Sequence, residues 1–164
     1  MRLDVFNQLP PAQAAQFLRP CVDIDRWIDA LVSARPFTSV EAVCDFALQC
    51  HAPFSGEEIA AALAHHPRIG EQAQGSSKEA GLSRSEQAGL EIDDQLARDL
   101  MEANRAYEQR FNRVFLIRAA GRSSEQILAE CQRRLANDEL TELLEVAEQL
   151  RQIALLRLKN SVED

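Results

Sequence analysis

Hydrophobic residues recur along most of the chain at the three- and four-residue spacing that places them on one face of an α-helix. A long example begins at Leu96 and continues through Leu100, Ala103, Tyr107 and Phe111. No stretch of any length alternates hydrophobic and polar residues with the two-residue period of a β-strand, and no internal repeat is present. The pattern therefore predicts an all-α fold, a bundle of about seven to nine helices.

Three pairs of residues have the spacing of a capping box, in which a Ser or Thr and a Glu three positions later bond the free N–H groups of a helix start. These pairs are Thr38 with Glu41, Ser55 with Glu58, and Ser83 with Glu86. Together with the prolines and the hydrophobic spacing, they predict helices over about 11–20, 23–34, 38–50, 55–66, 83–110, 124–135 and 138–159. The glycine- and serine-rich stretch 70–82 is predicted to be irregular.

The composition fits one ordinary globular domain. The chain has 164 residues, of which 46% are hydrophobic and 27% charged, so it can bury a core and is not of the disordered class. A formal net charge of −8 argues against nucleic acid as a partner, because proteins that neutralise phosphates carry basic faces. The same charge repels an anionic ligand at long range, so a site for one needs local arginines or helix N-termini. We expect a single domain over 1–164.

The cysteines and the start of the chain indicate its setting. Cys21, Cys44, Cys50 and Cys131 fit no zinc-binding spacing, so we expect four reduced thiols and no metal site. The first residues lack the apolar run of a signal peptide, and no stretch approaches the roughly 20 apolar residues of a membrane span. We therefore expect a cytoplasmic protein without a membrane partner.

His66 is the first residue that could carry chemistry. Pro67 disfavours helical geometry in the residue before it, so a helix must end here and the imidazole projects from that end. A histidine with an ordinary pKa of about 6.5 can act as general acid or base near neutral pH. The alternative is a plain helix stop that carries a surface histidine.

Ser83 and Glu86 form the second candidate. Capping explains both residues, yet a helix N-terminus also presents main-chain N–H groups that suit a carboxylate or a polar ring. The two roles are compatible for Ser83. They compete for Glu86, whose carboxylate can bond either the helix start or a ligand.

Arg157 is the third candidate. It continues the hydrophobic face of the last predicted helix, which is formed by Leu143, Ala147, Leu150 and Ala154. A guanidinium at this place must either reach solvent at the helix end or pair with an anion. The second alternative would supply the local arginine that an acidic protein needs to bind a carboxylate.

Phe115, Leu116 and Ile117 form a short apolar run between two predicted helices. An extended run leaves main-chain N–H and C=O groups without helical partners, and these could bond the amide groups of a ligand. Burial of an apolar loop is the alternative explanation.

Several short motifs follow one another through almost the whole chain. They are Phe6-Asn7-Gln8-Leu9-Pro10, Arg35-Pro36-Phe37, His66-Pro67-Arg68-Ile69-Gly70, Ser83-x-x-Glu86-Gln87-Ala88-Gly89-Leu90, Tyr107-Glu108-x-Arg110-Phe111, Phe115-Leu116-Ile117 and Arg157-Leu158. Each motif is weakly specific by itself, but their common order is strong evidence. By these motifs the chain resembles the family of 2-oxo-4-hydroxy-4-carboxy-5-ureidoimidazoline (OHCU) decarboxylases.

The resemblance implies an all-helical fold and the decarboxylation of OHCU, an anionic small molecule, to (S)-allantoin in the breakdown of urate. It also implies that no metal or organic cofactor takes part. By position, His66 resembles the catalytic histidine of the family and Glu86 its acidic partner. Arg157 resembles the arginine that anchors the substrate.

The resemblance extends to the lining of the pocket. Pro67, Ser83 and Gln87 match residues that line the substrate pocket of the family. The main chain of Phe115 to Ile117 matches the segment that contacts the substrate.

Two positions depart from the family. Relatives often have Gly after the residue that Phe111 matches, whereas this chain has Asn112. Because Asn tolerates left-handed geometry, we expect the turn to be kept. Many relatives carry Asp where this chain has Arg68, so the resemblance assigns Arg68 no part in binding.

Two other classes of function stay open. One is a non-catalytic helical interaction module, in which the capping boxes and the helix-end arginine are purely structural. The other is hydrolysis of a ureido group or cyclic amide, which the missing metal-ligand spacing disfavours. A homodimer is a further open prediction.

Overall fold

The computed structural model describes residues 1–50, 53–64, 66, 68–69, 78–88, 90 and 93–164, and for 78–80, 83 and 84 it describes the main chain only. Within these ranges the chain forms helices and no β-strand, so the predicted all-α fold is confirmed. The nine helices of the described ranges are α1 (Leu3–Gln8), α2 (Pro11–Leu18), α3 (Asp25–Ser33), α4 (Val40–Gln49), α5 (Gly56–Leu63), α6 (Lys78–Gln87), α7 (Asp94–Phe111), α8 (Ser124–Arg134) and α9 (Glu139–Ser161).

The helices group into two compact units. The first comprises Met1–Ala62 and Arg151–Asp164, and the second comprises Leu63–Leu150. Helix α9 contributes 139–150 to the second unit and 151–161 to the first. The single domain over 1–164 stays a prediction.

Trp27 is the centre of the first unit. Its side chain is buried on α3, which packs against α2 and α4, and its indole Nε1 donates a hydrogen bond to the carbonyl of Ala47 at 3.2 Å. Burial of a large aromatic surface is favourable when its one polar atom has a partner, as here. The predicted helix over about 23–34 is confirmed by α3, whose residues Trp27, Ile28 and Leu31 are buried.

The core of the second unit is a group of buried side chains that we call the Tyr107 cluster. Helix α7 packs against α8 around it, and Leu90, Leu96, Leu128 and Leu135 lie against its edge. The cluster consists of Ile69, Leu100, Ala103, Tyr107, Phe111, Phe115, Ile117, Ala119, Ile127 and Cys131.

Asn112 ends α7 in the left-handed region, with φ 52° and ψ 34°. Its main-chain N–H still donates to the carbonyl of Glu108, so the helix closes normally before the chain turns. The predicted left-handed turn at Asn112 is therefore confirmed, and the small polar side chain explains why a residue other than Gly is accepted here.

The helix start predicted at Ser83 is wrong. Helix α6 begins at Lys78, so Ser83 lies inside a helix that also covers part of the stretch predicted to be irregular. A separate helix, α7, begins after Asp93, whose carboxylate accepts a hydrogen bond from the N–H of Leu96 at 2.8 Å. Asp is as good a capping residue as Ser, and it directly precedes the hydrophobic pattern of α7.

The other two capping boxes have different outcomes. At Ser55 the box is confirmed, because Ser55 and Glu58 exchange hydrogen bonds of 2.7 and 3.2 Å between side chain and main chain. At α4 the capping residue is Ser39, which accepts from the N–H of Ala42, so the box predicted at Thr38 is wrong by one position.

Two further features concern the setting of the protein. All four cysteines are free thiols, as predicted. None of the helices in the described ranges combines the length and the apolar character needed to cross a membrane.

Glu58 also joins α5 to α3. Arg26 donates through Nε and Nη2 to its two carboxylate oxygens, each at 2.8 Å. The hydrogen bonds from Arg26, together with those from Ser55, lower the pKa of Glu58 to about 2.

We expect Glu58→Gln to lower the free energy of unfolding at pH 7 by about 1 kcal/mol, because it removes both a capping group and an ion-pair partner. A carboxyl whose pKa is depressed by folding stabilises the protein above its unfolded value of 4.5. This stabilisation is lost as the pH falls toward 2. Urea unfolding of the wild type and the variant from pH 7 to pH 2.5 should therefore show a shrinking difference.

Glu57→Gln is the matched control, since Glu57 is exposed one position earlier in the same helix. Its effect should stay within about 0.5 kcal/mol at every pH. A Glu58→Gln effect that does not vary with pH would contradict the assigned role of the carboxylate.

Candidate active site

His66 lies in a turn that follows α5. The helix ends at Leu63, whose carbonyl accepts a hydrogen bond from the N–H of His66 at 3.0 Å. His66 is half-buried and takes part in a further interaction. The predicted stop before Pro67 is confirmed, although the helix ends about a turn earlier than expected, and Pro67 itself lies outside the described residues.

Two side chains of α7 hold the residues that follow His66. Asn104 is buried, and its Nδ2 donates to the carbonyl of Ile69 at 3.1 Å. One helical turn later, Glu108 accepts two hydrogen bonds from the guanidinium of Arg68, one of them at 3.0 Å from Nη2. Arg68 therefore anchors the turn to α7, which is a structural role that the sequence did not indicate.

Asn104 and Glu108 were missed in the sequence. A signal existed for Asn104, because it lies four residues after Leu100 and next to Ala103 on the hydrophobic face of α7. A buried amide in such a face needs a polar partner from elsewhere in the chain. No comparable signal marks Glu108, since a Glu on a helix is usually a solvated residue.

Glu86 and Gln87 lie at the C-terminal end of α6, and both side chains are half-buried. The side chain of Ser83, the other predicted site residue of this helix, lies outside the described residues. The carbonyl of Gln87 accepts a hydrogen bond from the N–H of Leu90 at 3.1 Å. Because Leu90 packs against the Tyr107 cluster, the end of α6 is tied to the core of the second unit.

The chain from Phe115 to Ile117 is extended, and its three side chains are buried. Phe115 and Ile117 belong to the Tyr107 cluster, and the carbonyl of Leu116 accepts a hydrogen bond from Arg134 at 2.8 Å. Among the described residues, none accepts a hydrogen bond from the main-chain N–H groups of these three residues. The explanation by burial is therefore confirmed, and the binding of a ligand by these main-chain groups stays a prediction.

Arg157 is buried on α9 with 4% of its surface exposed. Its Nη1 donates to the carbonyl of Pro20 at 3.2 Å, and the guanidinium makes further contacts. The alternative in which this side chain reaches solvent at the helix end is therefore wrong. Arg157 belongs to the first unit, and its convergence with His66 and Glu86 stays a prediction.

Three of the predicted segments contribute side chains to one hydrophobic core in the second unit. Ile69 from the His66 turn and Phe115 and Ile117 from the extended segment belong to the Tyr107 cluster, and Leu90 after α6 packs against it. A general acid or base on the turn would thus lie on the same core as a set of main-chain donors. In the part of the chain that the structure describes, no three His, Cys, Asp or Glu side chains are grouped so that they could hold a metal ion.

The sequence profile of the family described as OHCU decarboxylase matches residues 7–159. The chain belongs to the OHCU decarboxylase family. An OHCU decarboxylase of Haloferax volcanii is 30% identical over 130 residues, which are 77% of this chain and 74% of that protein. A uric acid degradation bifunctional protein of Bacillus sp. (strain TB-90) is 24% identical over 97% of this chain, which spans about a third, 32%, of its length.

Two solved structures share the fold. A crystal structure of (S)-allantoin synthase superposes with a TM-score of 0.72 at 16% identity, over 99% of this chain and 54% of that chain. A crystal structure of OHCU decarboxylase in the presence of (S)-allantoin gives 0.66 at 20% identity, over 85% and 92% respectively. At these identities the likeness establishes the fold.

We expect Asn104→Ala to lower the free energy of unfolding by about 1–3 kcal/mol, because it leaves the carbonyl of Ile69 without its buried donor. Urea unfolding monitored by circular dichroism measures this change. Arg105→Ala is the control, since Arg105 is exposed on the same helix and should cost less than about 0.5 kcal/mol. Equal stability of the two variants would contradict the anchoring role of Asn104.

Proposed function

We propose that this protein converts OHCU to (S)-allantoin by decarboxylation without a cofactor. The observation that carries the proposal is that Ile69 after His66, Leu90 after α6 and the segment Phe115 to Ile117 all belong to the Tyr107 cluster or pack against it. Membership of the OHCU decarboxylase family supports the choice of substrate.

The chemistry of OHCU explains why side chains can suffice. Its carboxylate is attached to a carbon that also bears a hydroxyl group and lies beside a C=N bond. When the carbon–carboxylate bond breaks, CO2 leaves and the electron pair passes to the adjacent C=N group. The substrate thus supplies the electron sink that a cofactor would otherwise provide. The protein has to orient the substrate, accept the hydroxyl proton and deliver a proton to one face.

We assign these tasks to residues of the site. His66 and Glu86 would hydrogen-bond the hydroxyl region and move the proton. The main-chain N–H groups of Phe115 to Ile117 would hold the ureido and ring amide carbonyls, and their lack of an acceptor among the described residues supports this role. Pro67, Ser83 and Gln87 would line the pocket.

Arg157 would anchor the substrate through its carboxylate or carbonyl oxygens. A chain with a net charge of −8 repels an anion at long range, so binding depends on a cation inside the site. The burial of Arg157 supports this role, because a desolvated guanidinium interacts more strongly with an anion than an exposed one.

The competing proposal is a helical interaction module without catalysis. It expects changes at His66, Glu86 or Arg157 to affect stability modestly and to leave any small-molecule chemistry unaltered. The hydrogen bonds of Arg68 and of the Ile69 carbonyl to α7 favour the enzyme, since they hold the chain that directly follows a titratable side chain. A cytoplasmic location and a homodimer remain predictions.

The direct test generates OHCU freshly from urate, adds the protein and follows both CO2 release and the optical activity of the allantoin formed. We expect CO2 release faster than the spontaneous reaction and an excess of the (S) enantiomer. Racemic allantoin formed at the spontaneous rate would eliminate the proposed activity.

His66→Ala should fold normally but lose most of its activity, because general acid–base catalysis contributes roughly 10²–10⁴-fold. Circular dichroism checks the fold, and the rate of allantoin formation checks the activity. His65→Ala is the matched control at the neighbouring position and should keep wild-type turnover. A folded His66→Ala protein with wild-type turnover would refute the catalytic role.

A further inference from the structure

We propose that Arg134 and Glu142 are positioning residues that fix the direction of the main-chain N–H of Ile117 toward the substrate. The proposal rests on the proposed function, in which the segment Phe115 to Ile117 binds an amide carbonyl. Neither residue was a candidate in the sequence, and both lie in the second unit.

Arg134 and Glu142 form an ion pair in the interior of this unit. Their side chains are 1% and 0% exposed. Arg134 donates through Nε at 2.9 Å and through Nη2 at 2.5 Å to the same carboxylate oxygen of Glu142. Its remaining terminal nitrogen, Nη1, donates to the carbonyl of Leu116 at 2.8 Å. One guanidinium therefore joins the carboxylate of α9 to the extended segment.

The surroundings leave this guanidinium little freedom. Its central carbon lies 4.7 Å from the ring centre of Phe115 and 5.8 Å from that of Tyr107. The hydroxyl of Tyr107 donates to Glu142, and Asn137 donates to the second carboxylate oxygen at 2.8 Å. Burial and the bond to Glu142 raise the pKa of the Tyr107 hydroxyl, so it stays a donor.

Peptide geometry links Arg134 to Ile117. The carbonyl of Leu116 and the N–H of Ile117 belong to one peptide unit, and in a planar trans unit the two groups point in opposite directions. Since the carbonyl points at Arg134, the N–H of Ile117 points away from it. That N–H has no acceptor among the described residues. The hydrogen bond from Arg134 thus aims a main-chain donor that is available to a substrate carbonyl.

Stability alone does not account for a charged pair at this place. Replacing a buried ion pair with apolar residues of similar volume often leaves the stability of a protein unchanged or raises it, because both charges lose their hydration on burial. A guanidinium, however, offers a planar fork with further donors in fixed directions, which neither an ammonium nor an apolar side chain provides. The pair is therefore better explained by the geometry that it imposes on Leu116.

Arg134→Lys tests the proposal while a positive charge remains beside Glu142. The single ammonium group of a lysine cannot make both the two hydrogen bonds to Glu142 and the hydrogen bond to the carbonyl of Leu116. We expect a folded protein whose kcat/KM falls on the order of 10²-fold, through a raised KM and a lowered kcat, because small displacements of binding groups carry costs of this size. The (S) excess of the allantoin should fall as well, since a misaimed donor no longer orients the substrate.

Arg133→Lys is the matched control, because Arg133 is the preceding residue of α8 and pairs with Glu130 and Glu145 in an exposed position. It should keep wild-type kcat, KM and (S) excess. Amide hydrogen exchange gives a readout independent of turnover, in which the N–H groups of Phe115 to Ile117 should exchange faster in Arg134→Lys than in Arg133→Lys.

A second variant removes the charges altogether: Arg134→Met with Glu142→Leu and Tyr107→Phe. We expect it to fold, with an apolar core in place of the pair, and to show the same loss of kcat/KM and of (S) excess. Wild-type kinetics in a folded form of either variant, with unchanged exchange at the segment, would overturn the positioning role. An inactive wild type would instead overturn the proposed function, while the exchange measurement would still report whether Arg134 holds the segment.

Discussion

The carboxylate of Glu142 has no exposed surface, so it must be neutralised and hydrogen-bonded where it lies. Arg134, Tyr107 and Asn137 meet this requirement together, and through them α7, α8 and α9 are held to one another. The same guanidinium reaches the carbonyl of Leu116. The ion pair that the burial of Glu142 requires thus also supplies the hydrogen bond that holds the segment Phe115 to Ile117. A change in this part of the core would therefore also change the candidate site.

The chain that directly follows His66 is held to α7 by two side chains that contribute unequally to its stability. Asn104 donates to the turn from a buried position, whereas the pair between Arg68 and Glu108 is partly exposed, with 47% and 26% of the two side chains accessible. Exposed pairs contribute little, typically less than about 1 kcal/mol, so Asn104 carries most of the anchoring. The buried amide of Asn104 and the packing of Ile69 thus hold the chain three residues after His66.

Under the proposed function this acidic protein binds an anion, so the local charge of its site has to differ from its overall charge. The net charge of −8 is spread largely over exposed carboxylates, many of them paired with arginines. Inside, the described arginines are Arg134, which is committed to Glu142, and Arg157, which bonds the carbonyl of Pro20.

The sequence by itself determined the all-α class, the left-handed turn at Asn112 and the capping box at Ser55, because spacing and local backbone preference act within a few residues. The sequence wrongly predicted a helix start at Ser83. Ser83 and Asp93 are equally good capping residues, and only the packing of the helices determines that Asp93 is the one that caps. The partners of Asn104 and Arg134 were decided by tertiary structure. Asn104 bonds a carbonyl that is 35 residues away in sequence, and Arg134 bonds a carbonyl that is 18 residues away. A periodic pattern of hydrophobic residues does not indicate which distant backbone group a buried side chain will contact.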